Sequence, residues 1–199
     1  MNITTINHYG ETIITVDNFW SDKKCDEFIT LSESMGYSEA LVQTDLGPRR
    51  INHIRNNLRI IHDDVLLAHE LWQSISSIAP SNVGNSTSIG LNERFRFYKY
   101  TQGQSFRRHR DQSYVRNKYE CSFYTFLIYL NDDFEGGATT FYDLKIAPKK
   151  GKALIFYHPL EHAGEVITYG TKYILRTDIM YRFTTGNSSM HSEKIPGYT

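Results

Sequence analysis

The chain has 199 residues, its 22 Lys and Arg balance 22 Asp and Glu, and its only cysteines are Cys25 and Cys121. No basic block or stripe points to nucleic acid, and two cysteines exclude both a disulfide-dense secreted scaffold and a cysteine zinc site. No apolar run approaches the roughly 18 residues of a membrane span, and MNITTINHYGETI lacks the basic, apolar, small-residue order of a signal peptide. The expectation is a soluble cytoplasmic protein, no membrane involved, long enough for one domain with a real core.

In chain order, TIITVDNFW (12–20) reads as a short strand running into a turn. SDKKCDEFITLSESMG (21–36) reads as a helix, with Ser21 as N-cap, Asp22 at the positive end and Gly36 as stop. Its apolar stripe is Cys25, Phe28 and Ile29, with Met35 a candidate fourth member, and Cys25 is expected as a buried small hydrophobe. Residues 37–57 lack periodicity and carry Arg49, Arg50 and Arg55, which suits a lid or flexible segment. LRIIH (58–62) is strand-like and leads into a second helix over 63–79, where Val65, Leu66, His69, Leu71, Trp72 and Ile75 lie near one another. His69 fits a helix-surface or core-edge histidine better than a ligand.

From residue 91 the texture changes to short strand-like segments at 93–100, 121–130, 138–142, 152–157 and 172–183. NDDFEGG and APKKGK are turn signals between them. Short strands at this spacing argue for a barrel or a double-sheet jelly roll. The expected organisation is a helical N-terminal support region (1–90) integrated with a jelly-roll core (91–185) into one domain, and a flexible polar tail (186–199).

Within the core, RRHRDQSY places His109 two residues before Asp111. On extended backbone that spacing puts both on one face, and an imidazole with a carboxylate is two-thirds of a 2-His-1-carboxylate metal site. A surface histidine near an aspartate is a common coincidence, so the third ligand matters. The candidates are His158, which ends ALIFY, and His162, which opens HAGEVIT. Downstream, Lys172, Ile174 and Arg176 share one strand face. Two inward cations need an anionic partner, and a dianionic cosubstrate would supply one.

The sequence resembles the iron(II)- and 2-oxoglutarate-dependent dioxygenases, in the prolyl 4-hydroxylase-like branch. The resemblance is carried by FWSDKKCDEFI, YKYTQGQSFRRHRD, TFLIYLNDDFEGGATTF, PKKGKALIF and HAGEVITYGTK, in the family's order and spacing, and spans most of the chain. It implies a mainly β, α+β fold: a double-stranded β-helix (jelly roll) with N-terminal helices packed on it. His109, Asp111 and His162 match the iron ligands. Lys172 matches the basic residue that pairs with the far carboxylate of 2-oxoglutarate, and Tyr129 a tyrosine that contacts the same carboxylate. Tyr100 matches a tyrosine lining the cosubstrate pocket. Arg176, in an LRTD that some relatives share, could hold either end of 2-oxoglutarate. Gly136 and Gly137 match a structural turn that calls for positive φ.

The implied chemistry is hydroxylation of a substrate C–H bond using Fe(II), 2-oxoglutarate and O2, with succinate and CO2 as coproducts. Ascorbate often rescues oxidised iron in this family. The implied substrate is peptidyl proline or another protein or peptide side chain, with a free small molecule as the alternative. Competing readings are a cupin-type metalloprotein, which leaves Lys172, Arg176 and Tyr129 without a role, a His2Asp zinc hydrolase, and a non-catalytic domain that kept the fold. Arg94, Arg96, Arg107, Arg108 and Arg110 near the metal motif, with the arginines of 37–57, hint at an acidic or polar substrate; solvated or salt-bridged arginines explain them equally well.

Overall fold

The computed structural model describes residues 4–40, 42–44, 47–49 and 56–184, and for 42–44 and 47–49 the backbone alone. Within the expected lid at 37–57, residues 41, 45–46 and 50–55, with Arg50 and Arg55, lie outside the described residues, as do the Arg49 side chain and the expected tail at 186–199.

The main sheet is antiparallel and runs Thr5–Tyr9, Ile13–Asp17, Ala153–Tyr157, Glu120–Tyr129, Thr171–Phe183, Arg94–Thr101, Leu58–Asp63, Ser38–Glu39. Its central strands are buried on both faces, and the period of two sorts their side chains. One face carries Ile14, Val16, Phe95, Phe97, Phe126, Ile128, Ile155 and Leu175, which pack with the helices. The other carries Ile13, Tyr98, Tyr100, Leu127, Tyr129, Leu154, Phe156 and Ile174, which form a second core. A smaller antiparallel sheet covers that second core, in the order Phe106–His109, His162–Gly164, Thr139–Thr140, Lys145–Ile146. This is the double-sheet jelly roll expected from the strand spacing.

The two helices close the first face. Helix α1 spans Asp22–Met35; the Ser21 hydroxyl accepts from the Lys24 amide at 3.3 Å, and Gly36 ends the helix at φ 78°. Its buried positions are Cys25 and Ser32, with Phe28 and Ile29 packed beside them, and burial pushes the Cys25 thiol up to about 11. Met35, the last residue of the helix, is exposed. Helix α2 is shorter than expected, Val65–Ile75: Asp64 sets its start by accepting from the Leu67 amide at 2.9 Å, and Ser76 caps its end. Its buried face is Leu67, Ala68, Leu71 and Ile75. Val65 and Leu66, expected near that face, are 70% and 82% exposed, since the i, i+4, i+8 row from Leu67 leaves them on the far side. His69 sits on the surface against Gln73 at 2.9 Å.

The division drawn at residue 90 falls inside the strand Ser86–Leu91. Strands from the N-terminal region flank the core strands within the same sheet, so the support region is as much strand as helix. Ile13–Asp17 pairs with Ala153–Tyr157, and Leu58–Asp63 pairs with Arg94–Thr101.

Candidate metal and dicarboxylate site

Between the two sheets lies a cavity open to solvent, lined on its apolar side by Tyr98, Leu127, Phe156, Ile167 and Ile174. His109, Asp111 and His162 meet at one end, with one donor atom from each within 4.8 Å of the others. The register explains the convergence: His109 is directly opposite His162 on neighbouring strands of the small sheet. A bulge between Phe106 and His109 turns both onto one side, so the Phe106 ring stacks on the His109 ring at 3.6 Å between centroids. The simple alternation read from the sequence does not show that bulge, and Phe106 escaped notice for that reason.

Both imidazoles are oriented from behind. His109 Nδ1 lies 2.7 Å from the Arg107 carbonyl and His162 Nδ1 lies 3.0 Å from the Leu160 carbonyl. A carbonyl can only accept, so each Nδ1 donates, and in a neutral ring this leaves the lone pair on Nε2, the arrangement a metal ligand needs. His109 Nε2 is buried without a hydrogen-bond partner, 3.5 Å from Asp111 Oδ1. Burial lowers the His162 pKa to about 4 despite the nearby Asp111 carboxylate, which keeps the ring neutral. For Asp111, burial opposes ionisation, but the Arg176 guanidinium and the neighbouring imidazoles outweigh it and hold the carboxyl well below its usual range. Two imidazole nitrogens and one carboxylate, with an orphaned buried nitrogen among them, fit a divalent iron site.

His158, the other candidate, is buried elsewhere. Its carbonyl accepts from the Asp111 amide at 3.2 Å, while its Nε2 faces Asp178 Oδ1 at 3.7 Å. It steadies the Asp111 backbone, and its ring does not line the cavity.

Lys172 stands at the other end, 3% exposed. Its ammonium donates to the Gly137 carbonyl and lies 5.7 Å and 5.3 Å from the Tyr100 and Tyr129 ring centres. Among the described residues no ion pair engages it. Burial lowers its pKa to about 7, against the opposing effect of the Glu165 carboxylate. Gly136 and Gly137 adopt φ 78° and 67°, as the turn signal implied, and a Cβ on Gly137 would stand 2.4 Å from Ile167 Cδ1 and 3.2 Å from Lys172 Cδ. Tyr100 lines the cavity. Tyr129, expected to touch a ligand, is fully buried behind Thr139, and its hydroxyl is 2.7 Å from Thr139 Oγ1. Thr139 is the group that faces the cavity; a lone threonine in a turn-rich stretch carries no sequence signal.

Arg176 is on the expected face but has anionic partners inside the protein. Its Nη2 is 3.0 Å from Asp111 Oδ2 and 3.2 Å from Asp178 Oδ1. The second inward cation is therefore balanced without a cosubstrate, contrary to the expectation that both cations await one. Other arginines are paired too: Arg94 with Asp63, Arg96 with Asp178 and Arg110 with Glu161.

The jelly roll thus carries two histidines and an aspartate that could hold a metal ion, and a buried lysine, in the lining of one cavity. Residues 95–177 match the family model of the 2OG-Fe(II) oxygenase superfamily. Over 103 residues the chain is 35% identical to the "Putative prolyl 4-hydroxylase" of Acanthamoeba polyphaga mimivirus. That match spans 41% of this chain and 42% of the mimivirus protein, so it covers less than half of that relative's length. The fold resembles the viral collagen prolyl hydroxylase of Paramecium Bursaria Chlorella virus-1 in its 2OG complex (TM-score 0.61, 20% identity, 87% of this chain and 97% of that one). It also resembles a Trichoplax adhaerens prolyl hydroxylase bound to a hypoxia inducible factor peptide (0.66, 19%, 87% and 84%). A Pseudomonas putida prolyl-4-hydroxylase is similar as well (0.62, 14%, 88% and 94%). Residues 95–177 are thus similar in sequence to the 2OG-Fe(II) oxygenase superfamily, and the chain shares the fold of these prolyl hydroxylases.

Proposed function

We propose that the protein is an Fe(II)- and 2-oxoglutarate-dependent dioxygenase that hydroxylates a C–H bond of a protein or peptide side chain, peptidyl proline first among them. The observation that carries this is the pairing of a His109, Asp111, His162 cluster with the ammonium of Lys172, which no ion pair engages among the described residues, in one cavity. Lys172 and Arg176 lie on one strand face, about 13 Å apart at roughly 3.3 Å per residue. With the Lys172 side chain reaching inward, a five-carbon dicarboxylate spans from its ammonium to the metal end. His109, Asp111 and His162 would hold iron, which when bound with 2-oxoglutarate supplies the O2 activation. Lys172 would hold the distal carboxylate, Thr139 is placed to donate to it, and Tyr129 would orient the Thr139 hydroxyl. Tyr98, Leu127, Phe156 and Ile174 exclude water from the cavity wall.

The peptide reading is supported by the mimivirus relative's name and by the solved folds, one of which holds a peptide. Anaerobic addition of Fe(II) and 2-oxoglutarate to the metal-free protein is expected to give a weak visible charge-transfer band. Aerobic succinate release should then rise on adding a proline-containing peptide. A band without stimulation by any peptide would redirect the search to small molecules. No band and no succinate would overturn the reading.

A further inference from the structure

Asp111 has two oxygens, and the structure treats them differently. Oδ1 lies 3.5 Å from the His109 Nε2, while Oδ2 lies 3.7 Å from the His162 Nε2 and is already taken up by two donors. Oδ2 accepts from the Thr125 hydroxyl at 2.6 Å and lies 3.0 Å from Arg176 Nη2, which also donates to Thr125 Oγ1 at 3.0 Å. Carboxylate, hydroxyl and guanidinium form a closed triangle. Behind it, Arg176 contacts Asp178 Oδ1 at 3.2 Å, and Asp178 Oδ2 accepts from Arg96 at 3.0 Å.

We propose that Arg176 is a positioning residue that, with Thr125, occupies Asp111 Oδ2 and so leaves Oδ1 as the single oxygen offered to the metal. Three observations carry this. The scaffold is rigid: Thr125 stands opposite Asp178 and Arg176 opposite Arg96 on central strands of the main sheet. The groups are buried, with side-chain exposures of 13% for Arg176, 5% for Asp111 and 2% for Asp178. The charges also cancel. Arg176 and Arg96 match Asp111 and Asp178, so the network brings no net positive charge against an incoming dication. A lone guanidinium beside the ligand would repel the metal; one shared with a second carboxylate contributes orientation instead.

This rests on the metal-site reading above, and its test separates the two. Metal-free full-length protein is titrated with Co(II) alone and followed by its visible d–d bands. The His109→Ala variant is the control: if it binds Co(II) as the wild type does, the metal-site reading itself fails before any Arg176 variant is considered. Given a working site, Arg176→Gln is expected to weaken Co(II) binding about 10- to 100-fold, the range for partners behind a metal ligand. Its band pattern should shift as Asp111 turns, and Arg176→Lys should recover part of the affinity. The apparent KM for 2-oxoglutarate should stay near the wild-type value. Wild-type Co(II) affinity and bands in folded Arg176→Gln would overturn the proposal. A raised 2-oxoglutarate KM alongside would make Arg176 a cosubstrate anchor. Should Arg176→Gln not fold, Thr125→Val removes the other donor to Oδ2. A loss of Co(II) affinity there supports the proposal, and unchanged affinity overturns it.

Discussion

Lys172 Nζ donates to the carbonyl of Gly137, a neutral acceptor, in a wall where no ion pair reaches it among the described residues. An ammonium held this way is stabilised by one dipole and two ring faces, far less than water gives it. Its pKa near 7 follows from that burial.

The first prediction is a pH dependence of cosubstrate binding. Only the protonated lysine pairs with a carboxylate, and pairing raises its pKa. Below about pH 7 the ammonium is already present in the free protein. Above that pH it must be re-protonated on binding, so the 2-oxoglutarate affinity should fall by up to about tenfold per pH unit. Calorimetry of 2-oxoglutarate binding at pH 8 in two buffers of different ionisation enthalpy should show uptake of close to one proton. No uptake would mean that Lys172 is charged before the ligand arrives.

The second prediction concerns the turn that supplies the acceptor. At φ 67° a non-glycine residue is strained at position 137, and the new Cβ would press on Ile167 and Lys172. Gly137→Ala should destabilise the fold by about 1–3 kcal/mol, the range for overpacking a tight site. It should also raise the 2-oxoglutarate KM by displacing Lys172. Thermal unfolding and succinate assays read the two effects separately. A stable variant with normal KM would show that the turn can shift away from the ligand cavity.

Much of this site was legible in the sequence, for identifiable reasons. The face shared by Lys172, Ile174 and Arg176 follows from the strand period alone, and all three line the cavity. Ser21, Gly36, Gly136 and Gly137 announced a cap, a stop and a turn through backbone chemistry that few other residues share. What the sequence hid was pairing across strands. Nothing in the spacing says that Asp178 answers Arg176, that Thr125 reaches Asp111, or that Thr139 stands between Tyr129 and the cavity. Those contacts depend on register, and register is settled by the whole sheet. The exposed Val65 and Leu66 erred the other way: apolar residues suggested a shared face, but the helical spacing from the buried Leu67, Leu71 and Ile75 turns both toward solvent.

The third prediction tests the indirect role of Tyr129. Tyr129→Phe removes the hydroxyl that bonds Thr139 and leaves the packing intact. The lost hydrogen bond should cost about 0.5–1.5 kcal/mol of stability. If Tyr129 acts only through Thr139, the 2-oxoglutarate KM should rise by no more than about tenfold, the equivalent of that energy. An effect as large as that of Lys172→Ala would show that the tyrosine touches the cosubstrate itself.

The last prediction separates the two histidines that follow the strand Ala153–Tyr157. His162 aims an unprotonated Nε2 at Asp111 Oδ2 from 3.7 Å, while His158 points its ring toward Asp178 and offers its carbonyl to the Asp111 amide. A carbonyl survives any side-chain change, so His158→Ala should leave the donor set in place. It should instead lose stability, by about 1–3 kcal/mol for a buried polar network broken in the core, with Co(II) affinity reduced at most about 10- to 100-fold, as for other outer partners. His162→Ala removes a donor outright and should cut Co(II) affinity by more than that range, with little loss of stability because its ring borders the cavity. Paired titrations and melts of the two variants decide the matter. The reverse pattern, with metal binding lost in His158→Ala and kept in His162→Ala, would mean that His158 swings to the metal on binding and that the third ligand is not His162.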